Sequence, residues 1–345
     1  MPLLGLCIAI ALLPFAMDWR SPMLAGYRPA ALSVLTAVPL VLMSIAAWIL
    51  RTSRWSAIRG APSVAMLLAA TAVLITTLSL ETQFNRVRAR VLAADPAQLA
   101  RLGRHLIVGY RDVAEIDRLL ERRAIAGVFV GARNVEGLSA DAIHRQIASW
   151  QDVRRRQGLP PLLIATDQEG GAISRVSPPL PRQPSIASVA APLAEEDAPQ
   201  GGCSRLRADA GPRAGAPRGI PFRSLMGDGA FTMLSHARLT ALDAERPVSF
   251  SRAVVSGLLR QAWRHDGVLI TDDFSMAAAY GEKGGIADAG TAALNAGVDL
   301  ILVAYDPAQY FAVMDGLLAA DREGLLSATT LARSARRLEE VETGR

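Results

Sequence analysis

Two uninterrupted apolar stretches near the N-terminus, Pro29–Leu50 and Pro62–Leu80, constrain this chain more than any other feature. Neither contains a charged residue. Each has about the 20 residues that a helix needs to cross the hydrocarbon core of a bilayer. Uniformly apolar core helices of this length are uncommon in soluble proteins, so both are expected to span a membrane. A shorter run, Leu3–Met17, precedes them. It lacks the basic n-region and the small-x-small cleavage site of a signal peptide, so a third span is expected. The loop after the second run carries Arg51, Arg54 and Arg59 without an acid, which favours a cytoplasmic loop and places the remaining chain on the outer side. Arg86, Arg88 and Arg90, just after the third run, weigh the other way.

The net charge of +5 does not indicate a nucleic-acid partner. Nearly every cation is arginine, Lys283 being the single lysine, and the arginines are scattered among acids with no aromatic-interleaved basic stripe. Two cysteines, Cys7 and Cys203, specify neither a disulfide framework nor a metal site. No cofactor or metal is expected.

The sequence divides into a membrane domain over 1–80, a polar, Arg-rich linker over 81–100, and a soluble domain over 101–345. In the soluble part, short β-branched runs alternate with amphipathic helical periods. Strands are expected at Leu106–Tyr110, Ala126–Val130, Leu162–Thr166, Phe231–His236, from Gly267 to Thr271, and at Leu300–Ala304. Helices are expected between them. This alternation predicts an α/β fold with a parallel sheet. The Pro199–Ile220 stretch, rich in Gly, Pro, Ala and Arg, shows neither period.

Three strand ends carry polar groups: Asp167 with Glu169, His236, and the adjacent pair Asp272–Asp273. In an α/β barrel, residues at the C-terminal ends of strands face the active site. Gly170 and Gly171 permit a sharp turn and close approach to a ligand. Arg175 lies within reach of the same region. Acids, a histidine and an arginine around one barrel mouth suit a polyhydroxylated ligand and glycosidic cleavage by a carboxylate pair. A strand-end aspartate also serves as a helix N-cap, and the local sequence leaves both roles open for Asp272 and Asp273.

The run Leu163-Ile164-Ala165-Thr166-Asp167-Gln168-Glu169-Gly170-Gly171, followed by Arg175, resembles the sugar-binding segment of glycoside hydrolase family 3, of the bacterial β-N-acetylglucosaminidase (β-hexosaminidase) type that acts on cell-wall fragments. Gly131–Asn134, Met233–His236, Arg246–Ser251 and Asp266–Met276 match further segments in the family's order. The resemblance implies a TIM-type (β/α) barrel, a retaining mechanism with Asp272 as nucleophile, and sugar binding by Asp167 and Arg175, with a subsite or structural role for His236. With the apolar runs, it implies an enzyme of β-linked N-acetylhexosamine held at the bacterial cytoplasmic membrane. The family's Lys-His-Phe-Pro-Gly-His-Gly motif and the Asp-Ser-His that supplies its acid/base are missing, and the gap falls at Pro199–Ile220. Six expected strands against the eight of a closed barrel imply one or two missing βα units. A non-catalytic, sugar-binding or structural membrane protein of the same descent is the competing expectation.

Overall fold

A computed structural model describes residues 2–52, 57–184, 226, 231–280 and 285–342. The Pro199–Ile220 stretch, Cys203 and Lys283 lie outside the described residues. The chain falls into two compact units, Met1–Leu92 and Ala93–Arg345.

In the first unit, α1 (Pro2–Asp18), α2 (Arg28–Thr52) and α3 (Ala57–Leu92) pack together. Small side chains line the contacts: Ala9, Ala46 and Ala70 are buried with Leu42 and Met66. A second cluster joins Ala16, Ala31, Leu35 and Val73 to Trp19. Large apolar side chains point outward, with Leu4, Met17, Trp48, Leu68 and Ile75 all more than half exposed. Small residues thus line the helix contacts, and bulky apolar residues face away from them. Two helices, Arg28–Thr52 and Gly60–Leu92, are long and apolar enough to cross a membrane; Pro2–Asp18 is apolar but shorter.

The polar 81–100 stretch, expected as a linker, is mostly helical. The α3 helix continues to Leu92, and a further helix runs over Pro96–Gly103. Between Glu81 and Leu92 there is no Gly or Pro, and the Glu, Gln, Arg and Leu residues there are good helix formers, so nothing stops the helix until Asp95-Pro96. Asp95 caps the next helix by accepting a hydrogen bond from the Gln98 amide at 2.8 Å.

The second unit is built on six parallel strands: β1 (Leu106–Gly109), β2 (Gly127–Phe129), β3 (Leu163–Ala165), β6 (Thr232–Leu234), β7 (Leu269–Asp273) and β8 (Leu300–Val303). A small antiparallel hairpin of β4 (Gln168–Gly170) and β5 (Ile173–Ser174) follows β3. The sheet order is β3-β2-β1-β8-β7-β6, curled as half a barrel. The first and last strands pair, as they do where a barrel closes, in the register Leu106↔Ile301 and Val108↔Val303. Among the described residues, the two edges of this sheet are therefore β3 and β6. Among the described residues β3 and β6 each have one ladder neighbour, and they expose Ile164 and Met233, whereas all four residues of β1 and of β8 are buried.

Ile107, Val268, Ile270, Leu300 and Leu302 form one core cluster, joined by Leu338 of the last helix, Ala328–Glu342. Gly109 marks how closely the seam is packed, because a Cβ there would lie 2.0 Å from the Ala304 carbonyl oxygen. Gly109→Ala is expected to destabilise the fold by about 1–3 kcal/mol through backbone displacement, read as a lower urea midpoint.

His105 enters β1 from the opposite end of the sheet, fully buried, with Nδ1 donating to the Asp299 carbonyl at 2.8 Å. Burial outweighs that hydrogen bond and lowers its pKa from 6.5 to about 4. The folded state thus holds a neutral ring that the unfolded state protonates more readily. The resulting stability is present above pH 6.5 and lost as the pH falls from there through 4. A loss of roughly 3 kcal/mol is expected across that interval, and His105→Gln should flatten acid denaturation curves recorded between pH 7 and 4.

Candidate active site

The β7 strand ends in an irregularity. Ile270 pairs with Leu300 and Asp273 with Leu302, so β7 places two residues, Thr271 and Asp272, where β8 places one. Thr271 turns its hydroxyl into the ladder and accepts the Leu302 amide at 3.0 Å. A bulge of this kind re-aims the side chains beside it, and here it sits at the acid pair.

The two aspartates then do different things. Asp273 is occupied by backbone: Oδ1 accepts from the Ser275 and Ala304 amides at 3.0 and 2.8 Å, and Oδ2 from the Tyr305 amide at 2.8 Å. It therefore caps the turn after β7 and fastens it to the end of β8. Asp272 accepts one bond, from the Asp273 amide to Oδ1 at 2.8 Å, and its Oδ2 has no hydrogen-bond partner among the described residues. Capping thus falls to Asp273.

His236, just beyond β6, lies beneath this pair. Its Nε2 is 3.2 Å from the Asp273 carbonyl oxygen, and its Nδ1 is 2.7 Å from Ser249 Oγ. A carbonyl only accepts, so Nε2 carries the proton and Nδ1 accepts from the serine. Burial lowers the pKa of His236, against the opposing charge of Asp272, and favours that neutral form. Phe250 and Phe274 flank the ring at 5.3 and 5.8 Å. Expected in a subsite or structural role, His236 is 6% exposed with both nitrogens hydrogen-bonded, and it supports the backbone on which Asp272 stands.

Asp167 and Arg175 meet beyond β3. Arg175 Nε is 3.5 Å from Asp167 Oδ2, both side chains are partly exposed, and the Arg175 amide donates to the Asp167 carbonyl at 3.2 Å. The hairpin between them turns on Gly170 and Gly171, with φ of +84° and +58°. A Cβ at Gly170 would lie 2.2 Å from the Pro184 carbonyl oxygen, so this turn requires glycine. In the sheet, β2, β1 and β8 separate the Asp167 strand from the Asp272 strand. The two groups share the C-terminal side of the sheet, whereas His236 and the acid pair are direct neighbours.

Two residues at this mouth carried no role in the sequence reading. Arg133 donates through Nε to the Tyr110 carbonyl at 3.2 Å and through Nη2 to the Ala304 and Tyr305 carbonyls at 3.0 Å, tying three strand ends together. Tyr305 is 48% exposed, and the guanidinium carbons of Arg111 and Arg133 each lie 5.7 Å from its ring. The available signal was position: Tyr305 directly follows the Leu300–Ala304 run, at the strand end where ligands bind.

Residues 215–341 match the family model described as the glycosyl hydrolase family 3 N terminal domain. Similar curated proteins include a Beta-hexosaminidase of Tolumonas auensis, 36% identical over 113 residues, and another of Hydrogenovibrio crunogenus, 41% identical over 88. These matches cover 31% and 25% of this chain, and 33% and 24% of the relatives. The chain thus spans about a third or less of the length of the curated relatives it matches. Among solved structures, a Beta-N-acetylhexosaminidase from Beutenbergia cavernae aligns with a TM-score of 0.58 at 22% identity, covering 71% of this chain and 98% of that one. A glycoside hydrolase family 3 beta-N-acetylglucosaminidase from Paenibacillus sp. aligns with a TM-score of 0.54 at 22% identity, covering 71% and 62%. These likenesses show the fold.

Proposed function

We propose that the chain is a membrane-anchored glycoside hydrolase that cleaves β-linked N-acetylhexosamine, as found in cell-wall glycans, by a retaining mechanism. The observation that carries the reading is the Oδ2 of Asp272, unpartnered among the described residues and presented by a bulge at the C-terminal end of β7. In this mechanism that oxygen attacks the anomeric carbon and the bond to the leaving oxygen breaks, giving a glycosyl-enzyme that water then hydrolyses. Asp273 and His236 fix the peptide carrying the nucleophile, and Asp167 with Arg175 bind sugar hydroxyls as a charged pair. The N-terminal helices anchor the chain in the bacterial cytoplasmic membrane as a multi-pass segment, with the sugar site on the outer side. Their outward-facing bulky apolar residues support the anchoring.

A second reading, a sugar-binding protein without turnover, draws on the missing acid/base motif and on the two sheet edges at β3 and β6. An aryl β-N-acetylglucosaminide with a good leaving group separates the two, since it departs without protonation. Release faster than that of Asp272→Ala supports the hydrolase. Saturable N-acetylglucosamine binding with wild-type release no faster than that of the variant supports the binding protein.

A further inference from the structure

The opposite end of the sheet holds a second concentration of chemistry that the sugar reaction does not use. A cavity of about 780 Å³ opens between the segment that leads into β7 and the last helix. Arg260, Arg264, Arg333, Arg336 and Arg337 line it together with His265, and Asp266 is its one carboxylate. The distance from Asp272 follows from the strand itself: five residues at about 3.3 Å per residue separate Gly267 from Asp272, roughly 17 Å. The cavity is thus remote from the sugar site.

The charges do not balance inside this cluster. Buried Asp299 accepts from Arg337 Nε and Nη2 at 3.0 and 2.9 Å, and from Arg260 Nη2 at 2.5 Å. Asp266 pairs with Arg336 at 2.9 Å and Arg337 at 3.2 Å, and Arg336 also meets Glu340 at 3.7 Å. Arg264 and Arg333 have no carboxylate partner among the described residues, which leaves an excess of positive charge on the cavity wall. Two polar atoms are also orphaned there. Arg260 Nε and His265 Nε2 are buried without a hydrogen-bond partner among the described residues, and His265 is 9% exposed. Groups of this kind cost free energy unless a ligand or water satisfies them. Arg264, which carries the chain from the preceding helix into His265, adopts φ of +56°, a left-handed conformation uncommon for a residue with a side chain.

We propose that this cavity is an oxyanion site that binds a phosphate group, separate from the sugar site. Guanidinium groups present paired N–H donors whose spacing matches phosphate oxygens, and several around one cavity distinguish a phosphate from a halide. The volume exceeds that of inorganic phosphate and leaves room for an organic substituent. The same chemistry fits a soluble phosphate ester or an anionic lipid headgroup.

The test uses the full chain in nanodiscs of phosphatidylcholine, titrated with inorganic phosphate against chloride at matched ionic strength, with Tm as the readout. A saturable rise in Tm with phosphate and none with chloride is expected. The double variant Arg264→Ala/Arg333→Ala removes two exposed side chains without breaking an ion pair, and should weaken the phosphate response at least tenfold while leaving Tm in chloride unchanged. Nanodiscs containing phosphatidylglycerol distinguish the sources. A lipid ligand raises Tm without added phosphate and abolishes the phosphate response, whereas a soluble ligand leaves that response intact. A response equal in chloride, or equal in the double variant, overturns the site. Sugar turnover does not enter the readout, so the result is independent of the proposed hydrolase activity.

Discussion

Asp272→Asn is expected to reduce release from an activated aryl β-N-acetylglucosaminide on the order of 10⁴–10⁶-fold, the scale seen when a catalytic nucleophile is removed. The fold should be indifferent to the change, because among the described residues Asp272 accepts only one bond, from its immediate neighbour. Asp273→Asn should behave in the opposite way. Three backbone amides converge on its two oxygens, and an amide side chain offers a single acceptor oxygen and turns its NH₂ towards at least one donor. Charge-assisted bonds of this kind are each worth roughly 1.5–3 kcal/mol, so Asp273→Asn should lower the urea midpoint clearly, and activity only as far as the β7–β8 ends loosen. Paired rate and stability measurements on the two variants therefore separate a reacting carboxylate from a structural one. Equal effects of both variants on both quantities would contradict the division of labour.

Asp299→Ala is expected to be the most destabilising single substitution, by about 3–5 kcal/mol. Asp299 is fully buried and its carboxylate meets two arginines and the Leu269 amide, which is 2.8 Å from Oδ2. Removing it leaves the Arg337 and Arg260 guanidinium groups, 5% and 12% exposed, without their main counter-charge. The cost comes from those stranded cations more than from the lost pairs. Asp299→Ala combined with Arg337→Leu and Arg260→Leu should therefore recover much of the stability lost by the single variant, as buried ion groups replaced by apolar side chains commonly do. Denaturant midpoints of the single and triple variants provide the check, and a triple variant no more stable than the single would contradict this account.

Much of the second unit was legible in the sequence. Each expected parallel strand is present, because short apolar runs between amphipathic helical periods have few other solutions. The order β3-β2-β1-β8-β7-β6 also sets the two sheet edges on either side of the segment between Asp167 and Met233. The helical continuation through residues 81–92 was obscured by polarity, although the residues there are good helix formers. The distinction between Asp272 and Asp273 was not legible. It depends on the Ala304 and Tyr305 amides, more than thirty residues later, which the fold brings to Asp273. The partners of His236 were hidden for the same reason, since Ser249 and the Asp273 carbonyl reach it only when β6 and β7 lie side by side. The arginine cavity was hidden similarly: Arg260 and Arg264 are some seventy residues from Arg333 and Arg337, and in the sequence all four read as scattered surface charge.

The central claim is that Asp272 forms a covalent bond to the sugar. Its most direct test is the product formed from 2,4-dinitrophenyl β-N-acetylglucosaminide in the presence of azide. This leaving group needs no general acid, and azide attacks a glycosyl-enzyme without a general base, so the reaction bypasses the missing motif. The wild-type chain should yield the β-glycosyl azide, the product of two inversions, at a rate that increases with azide, and Asp272→Asn should yield none above the uncatalysed background. An α-glycosyl azide, or equal product from wild type and variant, would contradict the claim.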